Sequence, residues 1–290
     1  MGLLDGKVAV ITGAGGGLGR THALLFASEG ARIVVNDLGG ARDGTGGGSA
    51  MADQVVKEIK AAGGEAVSNY DSVATPEGGA GILKTALDAF GRVDILVNNA
   101  GILRDKTLIK TEEPDWDAVI SVHLKGTYCV TRPIFTHMKE RGGGGVIVNT
   151  SSTSGLIGNF GQCNYGAAKA GIAGFTRCLA QEGSKYGIRV WGLAPVAFTR
   201  LTEDLMGGAA AEQSKQALDP AKVSQAVLYM VSDLSGSRTG QFLFVSGARV
   251  AELKIVGPEG MKKEGFTARD IADNEAAVFL PKESGFNMYG

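Results

Sequence analysis

Residues 8–19 of the chain read VAVITGAGGGLG, an apolar run followed at once by a cluster of glycines. Four consecutive apolar residues at 8–11 are typical of a strand that is buried on both faces. Gly13, Gly17 and Gly19 then permit a tight turn and a close approach of backbone to a phosphate group. Because a helical pattern follows, and a helix N-terminus favours negative charge, the stretch predicts a strand, turn and helix that bind a dinucleotide.

The alternation of strand and helix continues along the rest of the chain. Strands are predicted at residues 8–11, 32–35, 66–70, 93–97, 146–150, 188–193 and 242–245. Helices are predicted between them, including a long one over residues 116–141 and another that ends near residue 186. The pattern predicts an α/β fold, a Rossmann-type doubly wound parallel sheet of about seven strands with helices on both faces.

Length and composition favour one domain with an extension. The chain has 290 residues, of which 44% are hydrophobic, enough for a sizeable core. We expect a single domain over residues 1–249 and a C-terminal extension over 250–290 that packs on the domain or on a partner subunit. Residues 200–216 are polar and rich in small side chains, which predicts a mobile lid that helps to choose the substrate.

Several classes of partner and location are disfavoured. The net charge of −1 gives no general electrostatic case for binding nucleic acid or an anionic membrane. No apolar run approaches the ~18 residues of a membrane span, and the first residues lack the pattern of a signal peptide. The three cysteines fit no metal-binding spacing and are expected to be reduced, buried thiols. We therefore expect a cytoplasmic protein without a metal site.

Asp37 decides the expected cofactor. It ends the second predicted strand, eighteen residues after Gly19. A carboxylate at this place accepts hydrogen bonds from the adenosine ribose hydroxyls and repels a 2′-phosphate, which predicts NAD over NADP. Arg20 and Arg42 are the residues that could favour NADP, and a solvated turn residue is the alternative interpretation of Asp37.

Leu18, between the last two glycines of the turn, also belongs to the predicted cofactor site. Further residues lie at the carboxyl ends of the predicted strands, where ligands of such sheets bind. They are Asp71, Ser72, Val73, Asn99, Gly101, Val196 and Phe198. The three residues after the third strand face the adenine edge in this interpretation. Asn99 either binds the cofactor or ties strand ends together, and Phe198 either contacts the nicotinamide amide or packs in the core.

Ser152, Tyr165 and Lys169 are the candidate catalytic residues. Tyr165 and Lys169 are four residues apart, so on a helix they lie on the same face. Ser152 ends the apolar run of the fifth strand, so its hydroxyl can meet the phenol and the ammonium. An unperturbed Tyr has a pKa near ~10, and the nearby Lys169 ammonium has the right sign to lower it. An ordinary surface pair of Tyr165 and Lys169 is the alternative.

These motifs together resemble the short-chain dehydrogenase/reductase family over about residues 5–247. The resemblance is carried by TGxxxGxG at 12–19, NNAG at 98–101, Ser152, YxxxK at 165–169 and Pro195 after the sixth strand. Within that family, NDLGG at 36–40, NYDSV at 69–73, VHLKG at 122–126 and GNFGQCNY at 158–165 resemble the (3R)-hydroxyacyl-CoA dehydrogenase unit of the peroxisomal multifunctional β-oxidation enzyme. That unit is also described as a steroid dehydrogenase.

The resemblance implies a role for each catalytic candidate. Tyr165 is the general acid/base, Lys169 lowers its pKa and holds the nicotinamide ribose, and Ser152 positions the substrate oxygen. His123 stands where the family often has an asparagine that completes a proton relay. It is either a member of that relay or a helix residue that is hydrogen-bonded to backbone.

The expected function is that of an NAD-dependent oxidoreductase that interconverts a secondary alcohol and a ketone, with (3R)-3-hydroxyacyl-CoA and 3-ketoacyl-CoA as substrate and product. The alternatives are a ketoacyl reductase, a hydroxysteroid dehydrogenase, or a non-catalytic NAD(H)-binding regulatory protein. The partner is a lipid-like acyl-CoA. The resemblance also implies a homodimer or homotetramer that pairs the helices near residues 114–140 and 161–186.

Overall fold

The computed structural model describes residues 2–198 and 216–281 of the chain. Its strands are β1 (Val8–Thr12), β2 (Arg32–Asn36), β3 (Ala66–Asn69), β4 (Ile95–Asn98), β5 (Gly145–Thr150), β6 (Ile188–Val196), β7 (Phe242–Ser246) and β8 (Arg249–Leu253). Its helices are α1 (Gly17–Ser28), α2 (Ala50–Ala61), α3 (Pro76–Phe90), α4 (Glu113–Ile120), α5 (Gly126–Arg141), α6 (Thr153–Leu156), α7 (Cys163–Ser184), α8 (Pro220–Val231), α9 (Ala268–Asp273) and α10 (Glu275–Val278). Apart from Gln216, the predicted lid lies outside the described residues.

The strands form one sheet in the order β3-β2-β1-β4-β5-β6-β7-β8. The pairings from β3 through to β7 are all parallel. The chain first builds outward from β1 to β3 and then crosses back to place β4 on the other side of β1. The carboxyl ends of β1 and β4 therefore border the crevice where ligands of open α/β sheets bind.

Side chains of β1 alternate between two hydrophobic cores, one on each face of the sheet. Ala9 and Ile11 belong to the core that includes Phe26 of α1. Val10 points the other way, into the core that includes Ile82 of α3. Every residue of β1 is buried, and its first four residues are all apolar, as expected of a strand that is covered on both faces.

The structure confirms the predicted fold class and differs in detail. An eighth strand, β8, follows β7 after a two-residue turn, and so short a link permits only antiparallel pairing. Pro195 was predicted to follow the sixth strand but lies within β6, opposite Val245 of β7. The predicted buried thiols were wrong for Cys163 and Cys178, which are exposed on α7, while Cys129 is buried.

The long helix predicted over residues 116–141 is interrupted. A π-helical turn, Ser121–Lys125, separates α4 from α5 and contains His123. Thr127 Oγ1 donates a hydrogen bond of 2.7 Å to the His123 carbonyl one turn earlier. Such π turns insert one residue into the regular ladder and are frequent at functional sites.

The chain divides into two units, Met1–Glu252 and Leu253–Gly290. The first contains the sheet and its flanking helices. In the second, α9 begins with a capping box between Thr267 and Asp270. Ile255 and Phe266 are exposed apolar residues of this unit. That the extension packs on the domain or on a partner subunit stays a prediction.

Candidate active site

The glycine turn after β1 brings backbone rather than side chains to the crevice. Gly13 and Gly17 have φ values of 63° and 51°, in the region that favours glycine. A Cβ on Gly13 would lie 2.8 Å from the Cα of Ala100, and one on Gly19 would lie 2.2 Å from the Gly13 carbonyl oxygen. The turn thus leaves no room for side chains at these positions, as close approach to a phosphate requires.

A groove of about 280 Å³ opens at this turn. Its lining comes from the glycine turn, the loop after β2, and the ends of β3 and β4. The lining includes the predicted residues Gly13, Gly17, Leu18, Asp37, Asp71, Ser72, Val73, Asn99 and Gly101. The structure therefore brings nine sequence-predicted residues to one groove, although they span 89 positions of the chain.

Asp37 holds two backbone segments at the edge of this groove. One carboxylate oxygen accepts a hydrogen bond of 2.8 Å from the Gly15 amide, and the other accepts one of 2.7 Å from the Gly39 amide. Each carboxylate oxygen has a second lone-pair direction, so these bonds leave capacity for hydroxyl donors. Asp37 thus shapes the groove and offers acceptors to a ligand within it.

Asn99 has a structural role and also lines the groove. Its side-chain amide donates to the carbonyls of Thr12 and Gly13 at 3.0 and 3.1 Å. In return, the Thr12 hydroxyl accepts hydrogen bonds from the Asn99 and Ala100 amides. These bonds lock the end of β4 to the glycine turn.

The candidate catalytic residues converge from β5 and α7. Lys169 is buried, and its Nζ donates a 2.6 Å hydrogen bond to the carbonyl of Thr150 at the end of β5. Ser151 Oγ donates to the Lys169 carbonyl at 2.9 Å, which fixes α7 against the strand. Lys169 Nζ lies 5.4 Å from the centre of the Tyr165 ring. The i, i+4 spacing on a helix is thus confirmed, and a solvated surface pair is excluded because Lys169 is buried.

Ser152 is oriented by the turn that it begins. Its hydroxyl oxygen caps α6 and accepts a 3.1 Å hydrogen bond from the Ser154 amide. Gly155 makes this possible, since a Cβ there would lie 2.5 Å from the backbone of α7 at Ala170. The α6 turn can therefore lie directly on α7, which brings Ser152 within hydrogen-bonding reach of the Tyr165 phenol.

Burial controls the protonation of the site. Part of Tyr165 remains accessible, yet burial of its phenol raises the pKa of Tyr165 to about 12, and the hydrogen bond with Ser152 opposes this only in part. Burial lowers the pKa of Lys169 to about 7. The expected lowering of the Tyr165 pKa by Lys169 is therefore not seen, because burial of the phenol raises that pKa instead. At neutral pH Tyr165 is a phenol, ready to donate a proton.

His123 packs between the groove and Tyr165. Its ring meets the Tyr165 ring edge-on, with centroids 5.1 Å apart. Its Nε2 lies 3.1 Å from the Ile102 amide nitrogen and 2.8 Å from the Ile102 carbonyl oxygen, and one tautomer can serve only one of them. Nδ1 is buried with no hydrogen-bond partner among the described residues. Burial lowers the pKa of His123 to about 3, so the ring is neutral.

Five predicted cofactor residues are not among the described residues that line the groove: Gly19, Tyr165, Lys169, Val196 and Phe198. Val196 ends β6, and the Phe198 amide donates to the Leu218 carbonyl at 2.8 Å. Sequence reasoning missed Ile102, Val122 and Met51, which also line the groove. An apolar side chain in a helix or loop carries no sign of such a role, so only the fold identifies them.

Comparison with known proteins identifies the family. Residues 7–206 match the model of the short chain dehydrogenase family, and the chain belongs to that family. It is therefore an oxidoreductase that acts on CH–OH groups, in a family whose cofactor is a nicotinamide dinucleotide. The glycine turn fits such a group, because its tight fold, which leaves no room for a Cβ at Gly13 or Gly19, leads straight into the N-terminus of α1, where negative charge is favoured.

Individual relatives show which members of the family the chain resembles. The chain is 46% identical over 272 residues to peroxisomal multifunctional enzyme A of Dictyostelium discoideum, covering 94% of this chain and 60% of that one. It is 39% identical to a hydroxyacyl-CoA dehydrogenase of Mycobacterium tuberculosis, covering 90% of this chain and 82% of that one. A crystal structure of a short chain dehydrogenase from Mycobacterium avium superposes with a TM-score of 0.84 at 41% identity, covering 97% and 98% of the two chains. The predicted resemblance is confirmed.

Two further findings concern the described part of the chain. Across residues 2–198 and 216–281, no cluster of three or more His, Cys, Asp or Glu side chains is arranged to hold a metal ion. Within the same ranges, no helix has the length and apolar character needed to cross a membrane.

Proposed function

We propose that this protein is an NAD-dependent dehydrogenase that interconverts (3R)-3-hydroxyacyl-CoA and 3-ketoacyl-CoA. The observation that carries the proposal is the convergence of Ser152, Tyr165 and Lys169 beside a groove that ends in the Asp37 carboxylate. The acyl-CoA part is supported by relatives, one named a hydroxyacyl-CoA dehydrogenase and one a peroxisomal multifunctional enzyme.

The preference for NAD rests on Asp37. Its carboxylate lies in the groove after β2, where the adenosine ribose of a dinucleotide binds in such folds. A 2′-phosphate at this place would meet a negative charge. We expect NAD to bind at least about tenfold more tightly than NADP, and Asp37→Ala to reduce that ratio. Titration of both dinucleotides measures this, and tighter binding of NADP to the wild type would refute it.

Tyr165, Ser152 and Lys169 each have a separate role in the proposed reaction. Bound NAD would accept the hydride from the carbinol carbon. Tyr165 takes the proton from the substrate hydroxyl during oxidation and returns it during reduction. Ser152 donates a hydrogen bond to the substrate oxygen and holds it at the phenol. Lys169 Nζ lies over the Tyr165 ring, where in its protonated form it opposes the cost of forming a phenolate.

The test is a panel of (3R)- and (3S)-3-hydroxyacyl-CoA esters and hydroxysteroids, followed by NADH absorbance. We expect turnover of the 3R esters alone among the acyl-CoA substrates. Tyr165→Phe should lose nearly all turnover but keep NADH affinity, since only the hydroxyl is removed. Tyr128→Phe is the matched control, because Tyr128 is exposed on α5. Retained turnover in Tyr165→Phe would contradict the acid/base role.

One observation favours a second candidate, reduction of a ketoacyl group. Burial keeps Tyr165 protonated at neutral pH, which is the form that donates a proton to a ketone. Rates in both directions with the same acyl chain separate the two candidates. Turnover of steroids alone would favour the hydroxysteroid alternative, and no turnover on any substrate would favour a binding protein. The homo-oligomer and the cytoplasmic location stay predictions.

A further inference from the structure

Gln162 is a buried amide at the start of the helix that carries Tyr165. It is 7% exposed and precedes α7 by one residue. Its Oε1 accepts hydrogen bonds from Ser154 Oγ at 2.7 Å and from Asn159 Nδ2 at 3.0 Å. Its Nε2 donates to Asp105 Oδ2 at 2.6 Å. If the amide were flipped, its NH₂ group would face Ser154 and Asn159, and its oxygen would face the Asp105 carboxylate, which has no proton to donate. Only the observed orientation therefore satisfies all three partners.

The hydrogen bonds of Gln162 continue to the catalytic serine. Ser154 gives its hydroxyl proton to Gln162 and its backbone amide proton to Ser152 Oγ. A displacement of the Gln162 amide would therefore move the α6 turn and the Ser152 hydroxyl with it. A buried amide that loses a hydrogen bond costs free energy, so any movement that breaks one of these three bonds is unfavourable. The arrangement is therefore rigid.

Asp105 connects this amide to the loop that follows β4. The next residue, Lys106, forms an isolated β-bridge with Gln162, so backbone and side chain both join the loop to α7. Asn164 Nδ2 adds a 3.1 Å hydrogen bond to the Arg104 carbonyl. Although Asp105 is exposed along one side, its carboxylate is buried enough to raise its pKa, against the opposing Gln162 hydrogen bond and Arg42 charge.

We propose that Gln162 and Asp105 are positioning residues of the reaction, which hold the Ser152 turn and a fixed negative charge beside Tyr165. This inference rests on the proposed dehydrogenase function and deepens it. Neither residue belongs to the Ser152, Tyr165 and Lys169 set that the proposed mechanism uses.

The charged and titratable groups around Tyr165 come from three elements. Lys169 on α7 is one turn away, His123 on the π turn is neutral at pH values above its lowered pKa, and Asp105 lies on the loop after β4. Asp105 is the anion among them, and its charge raises the pKa of Tyr165 after the larger effect of burial. Removing this charge should ease formation of the phenolate and favour oxidation at lower pH.

The test compares Asp105→Asn, Gln162→Glu and the double variant, in the complex with whichever of NAD and NADP binds more tightly. Asp105→Asn keeps the shape and the hydrogen bond but removes the charge. Because solvent reaches Asp105, the midpoint of oxidation against pH should fall by about half a pH unit. Gln162→Glu places two carboxylates together, so its midpoint should rise and its kcat should fall about tenfold. Asp88→Asn is the control, because Asp88 is exposed on α3.

The double variant distinguishes positioning from a general loss of stability. Asn at 105 can donate to Glu at 162, which restores the hydrogen bond with reversed polarity, so kcat should recover to within about threefold of Asp105→Asn. No recovery, or an unchanged midpoint in Asp105→Asn, would overturn the proposal. A second readout needs no acyl substrate: the ultraviolet difference spectrum of each variant against the same variant with Tyr165→Phe reports the phenolate directly. If no substrate is turned over but this midpoint moves, the proposed substrate is wrong and the positioning role stands.

Discussion

The burial of Lys169 predicts an unusual dependence of stability on pH. The residue is 3% exposed, and its ammonium donates a hydrogen bond to the Thr150 carbonyl. Burial lowers the pKa of Lys169 from 10.5 to about 7 in the folded protein. Between these two values the unfolded chain binds one more proton than the folded protein, so the stability contributed by this group rises with pH. It is fully present above the unfolded pKa and is lost as the pH falls through the folded pKa.

The perturbation is Lys169→Met, which keeps the length of the side chain and removes its charge. The free energy of unfolding of the wild type, minus that of the variant, should rise by about 1.4 kcal/mol for each pH unit above about 7. From about pH 7 to about pH 9 the difference should grow by about 2 kcal/mol, because the slope is shallower near the folded pKa. The lost bond to Thr150 changes the size of the difference but not its slope.

The assay is urea unfolding of both proteins without added cofactor, at fixed protein concentration and ionic strength, across this pH range. Lys84→Met is the control, because Lys84 is exposed on α3 and should show a flat difference. A flat difference for Lys169→Met as well would show that Lys169 keeps an ordinary pKa in the folded protein, and the reasoning from burial would be refuted.

Three further predictions concern the site. Gly101→Ala should lower the free energy of unfolding by about 1–3 kcal/mol and reduce turnover, because its Cβ would lie 2.4 Å from His123 Cε1; an unchanged urea midpoint would contradict this. His123→Asn should keep more activity and stability than His123→Leu, because an amide can serve both the N–H and the C=O of Ile102, and equal loss in both variants would argue against that role. Burial raises the pKa of Tyr165 to about 12, so kcat/KM for oxidation should increase with pH above neutrality and that for reduction should not; a flat oxidation profile would count against Tyr165 as the base.

Much of the site was predictable because its spacing is local. The glycine turn follows a strand directly, and the spacing of Tyr165 and Lys169 needs only a helix to bring them together. Asp37 follows from the end of the second strand. For the glycine turn and the pair of Tyr165 and Lys169 the distance along the sequence is short, so one element of secondary structure fixes the geometry. Asp37 also needs the pairing of β1 with β2, which brings it to the Gly15 amide.

What could not be predicted depends on long-range or register effects. The hydrogen bond between Asp105 and Gln162 joins residues 57 positions apart, which no local pattern reports. The π turn around His123 is a shift of one residue in the hydrogen-bond ladder, and SVHLK has no glycine or proline to announce it. Pro195 lies in β6 two residues beyond Leu193, the last residue paired with β5, so the strand pairs there with β7 alone and a missing N–H is tolerated.

The loop after β4 explains why the cofactor groove and the proton-handling residues form one site. Asn99 at its start is bonded to the glycine turn, and Ile102 is bonded to His123. Its Leu103 amide donates to the Arg42 carbonyl of the loop after β2, while the Arg104 carbonyl accepts from Asn164 beside Tyr165. One stretch of six residues thus contacts both halves of the site.

Because the loop after β4 contacts both halves of the site, substitutions in the two halves should be energetically coupled. Residues in one hydrogen-bonded network show interaction energies of about 0.5–3 kcal/mol, whereas distant and independent residues add. Substitutions at Asn99 and at Gln162 lie in different motifs, yet both displace the loop after β4. Their effects on kcat/KM should therefore be less than additive in the double variant, because the first substitution already releases the backbone that the second would disturb.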